Sequence, residues 1–232
     1  MNNFSITPIA IIHSPYKEKF AVPRQPGLVP SAHALLEILP PYNDINAFSG
    51  LEEFSHLWLM FVFHKNIQNT KFQPTVRPPR LGGNKRLGVF ATRSPNRPNP
   101  IGLSLVEFHG VLQKDKKIFL QLSNIDLVDG TPIVDIKPYI PYADSKPDAM
   151  AGFAQQTPEA EMVVNFSQQA TLMTDKDDKQ KELIIEVLKQ DPRPAYKKMK
   201  PDNKVYAMHL GDFNISWQVS GNIINVNTIE LI

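Results

Sequence analysis

The chain of 232 residues contains no cysteine and no long apolar run. Without cysteine, disulfide bonds, cysteine nucleophiles and thiolate metal sites are excluded, and the composition suits a reducing compartment. The longest apolar run, residues 57–63, is too short to span a bilayer. The N-terminus also lacks the charged and apolar regions of a signal peptide. These absences predict a soluble cytoplasmic protein with no membrane partner.

The signatures of several common sites are missing as well. Gly83 and Gly88 have the separation of a Walker A motif, but Val89 occupies the position where that motif needs lysine. No G-x-G-x-x-G sequence follows a predicted strand and no serine lies in a G-x-S-x-G elbow, so a Rossmann-type nucleotide site and a serine nucleophile are unsupported. The six histidines form no H-x-H or H-E-x-x-H pair, and we predict no metal site.

Acidic side chains are absent from residues 54–106, and this stretch contains eight basic ones: Lys65, Lys71, Arg77, Arg80, Lys85, Arg86, Arg93 and Arg97. Soluble surfaces normally mix both signs, so the stretch suggests a polyanionic partner such as RNA or a phosphate-bearing ligand. Six prolines between positions 74 and 100 restrict the backbone and favour a fixed binding segment over a solvated basic loop. Residues 1–106 carry eleven Lys/Arg against five Asp/Glu, whereas residues 107–232 carry fourteen against eighteen. A nucleic acid would therefore meet the N-terminal half.

Short strand-like segments separated by turn residues dominate residues 4–142. Residues 57–63 have the continuous apolar character of a strand buried on both faces. Further strands are predicted over residues 87–91, 103–110, 118–125 and 132–140. Short strands with frequent turns indicate an antiparallel β-barrel or a sandwich.

The remainder of the chain predicts a small α+β domain after a polar linker over residues 143–158. Residues 162–166 resemble a strand, and residues 213–219 and 224–228 form a predicted hairpin around a Ser-Gly-Asn turn. A helix over residues 180–190 would begin after an N-cap at Asp177 or Asp178 and end before Pro192. Its apolar stripe contains Leu183, Ile184, Val187 and Leu188. We predict two domains, residues 1–155 and 156–232.

Four segments combine a restrained backbone with polar groups: residues 14–28, 56–65, 93–104 and 126–132. The first places Arg24 and Gln25 between two prolines, which offers a planar donor fork and an amide to carboxylates, phosphates or base edges. The second ends a buried run with His64 and Lys65. The fourth contains Asp129 in an Asp-Gly turn, although that dipeptide alone also suits an ordinary hairpin.

In their order along the chain, these segments resemble the TsaA-like family, also called the TrmO-type tRNA methyltransferases. The resemblance rests on Ser14-Pro-Tyr-Lys-Glu-Lys-Phe-Ala-Val-Pro-Arg-Gln-Pro-Gly, Gly50-Leu-Glu-Glu-Phe-Ser-His-Leu-Trp, Val76-Arg-Pro-Pro-Arg-Leu-Gly-Gly-Asn, Gly88-Val-Phe-Ala-Thr-Arg-Ser, Arg97-Pro-Asn-Pro-Ile-Gly and Asp126-Leu-Val-Asp-Gly-Thr-Pro. Residues 190–196 and 213–217 extend it to the bacterial form, which has an extra C-terminal domain. The one departure is residues 94–97, where members of the family vary.

The resemblance implies an S-adenosylmethionine-dependent enzyme whose N-terminal domain is an antiparallel β-barrel. Its substrate would be the tRNA nucleoside at position 37, next to the anticodon, already modified to N6-threonylcarbamoyladenosine. The reaction would add a methyl group to N6. The family is dimeric, so we expect a homodimer with the cofactor near the subunit interface and the tRNA anticodon stem-loop as partner.

Carried over to this chain, the resemblance implies a cofactor site formed by Pro23, Arg24, Gln25, His64, Lys65, Arg93, Leu103, Asp129, Gly130, Thr131 and Pro132. Asp129 is the candidate catalytic base, or it could hold the ribose or the amino group of the cofactor. The tRNA phosphates would be bound by Arg77, Arg80, Lys85, Arg86 and Arg97.

Two alternatives remain compatible with the residues. A non-catalytic RNA-binding β-barrel module would have the same basic face but would not need Asp129 or the Pro-Arg-Gln sequence. A methyltransferase acting on a different RNA site or on a small nucleotide would keep the cofactor and change the acceptor. Specific cofactor binding separates the first alternative from the enzyme, and activity on tRNA that lacks the threonylcarbamoyl group would favour the second.

Overall fold

A computed structural model of the chain describes residues 4–66, 72–158, 162–175, 177–194, 197 and 203–232. The regular secondary structure of the N-terminal part is mainly β, as the sequence predicted, with several short 3₁₀ turns between the strands. In chain order they are β1 (Ala10–His13), β2 (His33–Ile38), β3 (His56–Val62), β4 (Thr75–Val76), β5 (Leu87–Gly88), β6 (Ile101–Lys114), β7 (Lys117–Ser123) and β8 (Pro132–Pro138).

Six of these strands form one antiparallel sheet in the order β1-β2-β7-β6-β3-β8. Strand β8 pairs back onto β1 through Ile133 with Ala10 and Pro132 with Ile11, so the sheet closes on itself. Apolar side chains from alternate positions fill its interior, because successive side chains of a strand point to opposite faces. Closure leaves none of the six strands as an exposed edge that could pair with another chain.

The strand predicted over residues 57–63 is confirmed as β3, but its predicted burial on both faces is wrong. Leu57, Leu59 and Phe61 are buried, whereas Trp58 and Met60 between them are half-buried. The reason is the closed sheet, whose inner face holds the core and whose outer face is only partly covered. A continuous apolar run can therefore form a strand whose outward-facing side chains are only half-buried.

Strands β4 and β5 form a separate two-stranded ribbon, with Thr75 opposite Gly88 and Val76 opposite Leu87. The sequence predicted a strand over residues 87–91, and this is only partly correct. The strand ends at Gly88, and one turn of 3₁₀-helix follows over Val89–Ala91. The turn is closed by the amide of Thr92, which donates to the carbonyl of Val89 over 3.2 Å.

The C-terminal part is α+β, as predicted, and follows an exposed linker that contains the short helix α1 (Pro141–Asp144). Its elements are β9 (Val163–Phe166), α2 (Gln168–Thr174), α3 (Asp178–Lys189), β10 (Tyr206–Leu210), β11 (Phe213–Ser220) and β12 (Ile223–Leu231). The sheet order is β10-β11-β12-β9, and the predicted hairpin is β11–β12. Helix α3 begins after Asp177, whose carboxylate accepts from the amide of Gln180 over 3.1 Å, and its predicted apolar stripe is buried.

The two parts share one continuous hydrophobic core. The residues after β1 connect the core of the N-terminal part to that of the C-terminal part, since Tyr16 forms an isolated β-bridge with Leu210 of β10. Tyr16, Leu210 and Trp217 are all completely buried. Among the residues described, no helix has both the length and the apolar character needed to cross a membrane.

Candidate functional site

The segment after β1, residues 14–32, carries the predicted Pro23, Arg24 and Gln25. Its start is attached to the turn before β8. The Ser14 hydroxyl donates to the carbonyl of Leu127 over 2.7 Å, and the amide of Asp129 donates to the carbonyl of Tyr16 over 2.9 Å. Two predicted site regions, distant in sequence, are therefore neighbours in the fold.

Asp129 and the residues after it form a tight turn closed by the amide of Thr131, which donates to the carbonyl of Val128 over 3.1 Å. Gly130 has a φ of +76°, which L side chains rarely adopt, so glycine suits this position. Both carboxylate oxygens of Asp129 are occupied: one accepts from the amide of Ser14 over 2.9 Å and the other from Nζ of Lys17 over 3.0 Å. Asp129 thus holds segment 14–32 in place, and its role as a base stays a prediction.

His64 and Lys65 are the first two residues of a 3₁₀ turn, His64–Asn66, which begins one residue after the end of β3. Nζ of Lys65 donates to the carbonyl of Lys17 over 3.2 Å, so segment 14–32 lies between Lys65 and Asp129. Partial burial and the nearby charge of Lys65 lower the pKa of His64, which favours its neutral form. Among the described residues, no group of three or more His, Asp or Glu side chains could hold a metal ion.

Arg93 joins segment 14–32 to the basic stretch. Its Nη1 donates to Oε1 of Gln25 over 2.6 Å. Burial lowers the pKa of the neighbouring Arg24, and the negative charge of Asp191 in the C-terminal part offsets this lowering only in part. The predicted Gln25 and Arg93 are therefore in direct contact, and Asp191 of the C-terminal part lies close enough to Arg24 to affect its charge.

Asp126 is a functional candidate that the sequence analysis did not select. It lies between the buried Ile125 and Leu127, and the Ser104 hydroxyl donates to its Oδ1 over 2.5 Å. Burial raises the pKa of Asp126 to about 6, against smaller opposing effects of the hydrogen bonds and of the charge of Arg93. The available signal was an aspartate flanked by apolar residues on both sides, a pattern that predicts a desolvated carboxylate.

Tyr16 lies close enough to Asp126 to sense its charge. Burial and the negative charges of Asp126 and Glu186 raise the pKa of the Tyr16 phenol. The Tyr16 hydroxyl is buried and has no hydrogen-bond partner among the described residues. Buried hydroxyls are normally hydrogen-bonded, so the unpaired hydroxyl of Tyr16 is unusual.

Leu103 differs from the other predicted cofactor residues. It lies in β6 next to Ser104, which is buried, while Leu103 itself is 52% exposed. Because strand side chains alternate, Leu103 lies on the outer face of the closed sheet and Ser104 on the inner face. It is therefore separated from the Ser104–Asp126 contact by the thickness of the strand.

The five predicted tRNA-binding residues lie on or beside the β4–β5 ribbon, but they differ in their contacts. Arg77 and Lys85 are exposed and make no ion pair or hydrogen bond within the described ranges. Nη1 of Arg86 donates to the Thr75 hydroxyl over 3.4 Å, and Arg80 donates to the carbonyl of Gln156. Arg97 is half-buried, and its Nη1 donates to the carbonyl of Thr92 over 2.7 Å.

Comparison with known proteins identifies relatives over the whole chain. A family described as the tRNA-methyltransferase O N-terminal domain matches residues 11–145, and the TrmO C-terminal domain matches residues 159–232. The chain is 54% identical over 234 residues to the tRNA (adenine(37)-N6)-methyltransferase of Escherichia coli strain K12, covering 99% of each protein.

A second relative comes from Pseudomonas aeruginosa, and its name provisionally assigns it to the S-adenosylmethionine-dependent methyltransferases. It is 47% identical over 218 residues, covering 92% of this chain and 91% of the relative. The crystal structure of TrmO from Pseudomonas aeruginosa superposes with a TM-score of 0.79 at 38% identity, covering 99% of each chain. The predicted family is thereby confirmed: this chain belongs to the tRNA-methyltransferase O family.

Proposed function

We propose that this protein is an S-adenosylmethionine-dependent tRNA methyltransferase that adds a methyl group to N6 of N6-threonylcarbamoyladenosine at position 37. The observation that carries the proposal is the chain-long identity of 54% to a tRNA (adenine(37)-N6)-methyltransferase. A module that only binds RNA would not need the Arg93–Gln25 contact or a desolvated aspartate close by.

The residues present fit the proposed cofactor. S-adenosylmethionine supplies a methyl group on a sulfonium, and it also has a carboxylate, an amino group, a ribose and an adenine. The donors of Arg24, Gln25 and Arg93 suit a carboxylate, since guanidinium groups bind carboxylates in a planar, two-pronged geometry. The buried Tyr16 hydroxyl, which has no hydrogen-bond partner among the described residues, suits a ribose hydroxyl.

The predicted cofactor set, with His64, Lys65, Leu103 and residues 129–132, remains part of the proposal. Lys65 and the Asp129 turn lie on either side of residues 14–19, where they support the backbone that leads to Arg24. Methyl transfer needs the acceptor nitrogen held about 3–3.5 Å from the methyl carbon of the cofactor. The rate therefore depends mainly on how accurately the residues of the cofactor site position the two reactants.

Asp126 is the proposed proton acceptor. The N6 atom of the acceptor is a ureido nitrogen, which is a poor nucleophile while it keeps its proton. Asp126 would accept that proton as the bond from N6 to the methyl carbon forms and the bond from that carbon to the sulfonium sulfur breaks, with the neutral thioether as the leaving group. Its pKa of about 6 makes it a better base than an ordinary aspartate and leaves it ionised at neutral pH. Asp129, the base named by the sequence analysis, would first have to break its contact with Lys17.

The basic side chains near the β4–β5 ribbon are proposed to bind the phosphates of the anticodon stem. Arg77 and Lys85 are the best placed for this, because they are exposed and point-charge contacts need no fixed geometry. Arg80, Arg86 and Arg97 retain further N–H donors beyond those used within the protein.

We also propose the finer architecture that the family implies. The closed sheet serves as the β-barrel of a domain over residues 1–155, and residues 156–232 form the C-terminal domain. The match to the N-terminal family domain ends at residue 145 and the match to the C-terminal family domain begins at residue 159, which supports this division. The exposed Leu103 and the adjacent Met60 on the outer face support a homodimer contact near the cofactor. A cytoplasmic location stays a prediction.

The function is tested by methyl incorporation from labelled S-adenosylmethionine into two tRNA pools, with and without the threonylcarbamoyl group, followed by nucleoside mass spectrometry. We expect a methyl group on N6 of the modified nucleoside only. Transfer to unmodified tRNA would indicate a different acceptor. RNA binding without any transfer to either pool would indicate the non-catalytic module.

A further inference from the structure

Two large aromatic side chains are exposed side by side within the basic stretch. Phe90 is 71% exposed and Phe72 is 54% exposed. Their rings are stacked, with centroids 6.4 Å apart and an interplanar angle of 28°. Two adjoining exposed rings differ from the singly scattered apolar side chains of an ordinary protein surface.

The two rings are mounted on a restrained backbone. Strand β4, which follows Phe72, pairs with strand β5, which precedes Phe90, and the amide of Val89 donates to the carbonyl of Pro74 over 2.9 Å. Val89 is buried, which anchors the 3₁₀ turn and directs its neighbour Phe90 outward. The exposed rings are thus held in position before any partner binds, and less conformational entropy is lost on binding.

Arg97 completes the surface. Its guanidinium carbon lies 5.8 Å from the centroid of the Phe90 ring. Hydrogen bonds from its Nη1 to the carbonyls of Thr92, over 2.7 Å, and Val89, over 3.4 Å, set the orientation of the guanidinium. Aromatic rings and arginine guanidinium planes are the surfaces on which proteins stack unpaired bases of RNA.

We propose that Phe72, Phe90 and Arg97 form a stacking site for an unpaired nucleobase of the tRNA anticodon loop. The proposal rests on the proposed function, which brings that loop to this face of the protein. We call the three side chains the stacking site. It would hold a base in place while the flanking basic residues contact the phosphates on either side.

The charge of the surroundings favours RNA over a second copy of this chain. Residues 54–106 have no acidic side chain, and Arg77 and Lys85 are exposed nearby. In a two-fold interface the same patch meets itself, which would bring these like charges together. A nucleic acid instead supplies both the flat apolar surface and the opposite charge.

The test uses an anticodon stem-loop RNA that carries the fluorescent base 2-aminopurine at one loop position at a time. We expect the wild-type protein to quench the fluorescence at one position, because stacking quenches this base. Phe90→Ala should abolish that quenching and raise the Kd for the stem-loop about ten-fold. The slope of log Kd against log salt concentration should not change, since no phosphate contact is lost.

Matched variants separate ring stacking from loss of bulk or of folding. Phe90→Tyr keeps an aromatic ring and should retain the quenching, whereas Phe90→Leu keeps apolar bulk and should lose it. Phe4→Ala removes an even more exposed phenylalanine outside the basic stretch and should bind as the wild type does. Thermal unfolding of each variant checks that the fold is intact.

Two results would overturn the stacking site. One is quenching and affinity in Phe90→Ala equal to those of the wild type. The other is a change from dimer to monomer in Phe90→Ala by sedimentation velocity, which would assign the surface to a second copy of the chain. Failure of the proposed function is distinguishable: methyl transfer would then be absent from the wild type, while Phe90-dependent quenching of the stem-loop would persist.

Discussion

The two segments that carry most of the predicted site residues are held in place in different ways. Segment 14–32, which contains Arg24 and Gln25, is attached to the C-terminal part. The amide of Gly211 donates to the carbonyl of Pro15 over 2.7 Å, and the amide of His209 donates to Glu18 over 3.0 Å. At the other end of the segment, the amide and hydroxyl of Ser31 donate to Glu186 over 2.9 and 2.6 Å.

Aromatic packing strengthens the same attachment. The ring of Phe20 is stacked with those of Tyr206 and Trp217, at centroid distances of 6.3 and 5.8 Å. Nε2 of Gln190 also donates to the carbonyl of Leu28 over 3.3 Å. The C-terminal part therefore supports the segment on both sides of Arg24 and Gln25, at residues 15–20 and 28–31.

Segment 72–100, which carries the basic residues and the stacking site, is organised mainly by its own turns. The amide of Leu81 donates to the carbonyl of Pro78 over 3.1 Å, and Arg97 bonds the carbonyls of Val89 and Thr92 within the segment. Arg80 links it to the carbonyl of Gln156 in the linker. Groups that orient a reacting molecule need sub-ångström placement, while phosphate contacts act through charge and tolerate movement. Apart from Arg93, which lies in segment 72–100 but donates to Gln25 of segment 14–32, the two segments match these different demands.

The largest effect is expected from removing the aromatic attachment of segment 14–32. Phe20→Ala should lower the free energy of unfolding by about 3 kcal/mol, because it removes a ring packed against two others. It should also weaken S-adenosylmethionine binding, measured by calorimetry, while tRNA binding persists. Phe20→Leu, which keeps most of the apolar volume, should restore much of both losses. Unchanged cofactor affinity in a destabilised Phe20→Ala would mean that the attachment supports the fold without positioning Arg24.

The next effect concerns Asp126, which lies close to residues of both segments, Tyr16 and Arg93. Asp126→Asn keeps an acceptor for Ser104 but cannot take a proton, so turnover should fall about 100-fold or more. Wild-type turnover should fall as the pH drops through about 6, where the carboxylate becomes protonated. A loss of turnover in Asp129→Asn but not in Asp126→Asn would reverse the assignment of the base.

Asp126 should also appear in the pH dependence of stability. Its folded pKa, about 6, lies above its unfolded value, so the folded state binds the proton more tightly. The stability it contributes is complete below the unfolded pKa and is lost as the pH rises through about 6. Asp126→Asn has no proton to lose at this position, so its stability should not fall in this way as the pH rises through about 6. The melting temperature of the variant minus that of the wild type should therefore increase over this pH range. An unchanged difference would contradict the desolvation of this carboxylate.

A smaller effect is expected from the polar attachment at Ser31. Glu186→Ala leaves the amide and hydroxyl of Ser31 without their acceptor. The free energy of unfolding, measured by urea denaturation, should therefore fall by about 2 kcal/mol. Cofactor affinity should fall several-fold. Glu182→Ala removes an exposed carboxylate from the same helix and provides the matched control. Equal destabilisation by both variants would attribute the effect to the helix instead of to segment 14–32.

The smallest effect is expected within segment 72–100. Lys85→Ala should weaken tRNA binding a few-fold, reduce the salt slope by about one contact and leave cofactor binding unchanged. Arg80→Ala should behave similarly but also loses the link to Gln156. Lys179→Ala, an exposed lysine of α3, is the control for charge alone. If Arg80→Ala abolished cofactor binding, the division between the two segments would be wrong.

The sequence predictions were accurate where the structure depends on interactions between residues close together in the chain, and less accurate where it depends on residues far apart. Helix α3 and the β11–β12 hairpin were predicted correctly, because caps, turns and periodicity act between residues a few positions apart. The strand predicted over residues 87–91 was shortened by a turn that depends on Val89 being buried against the rest of the protein. Asp126 was missed because its two apolar neighbours were the one local signal, while the burial that raises its pKa comes from the folded protein around it.

The sequence alone determined the mainly β character of the N-terminal part, the α+β character of the C-terminal part, the one-sided charge of residues 54–106 and the family. Only the tertiary structure decided that the sheet closes through β1 and β8, that Asp129 holds Ser14 across 115 positions, and that Ser31 meets Glu186 across 155. The physical reason is that patterning reports which face of an element is apolar, whereas contacts between distant positions depend on how all the elements pack at once. The environment of each functional group, and hence its chemistry, is set by those distant contacts.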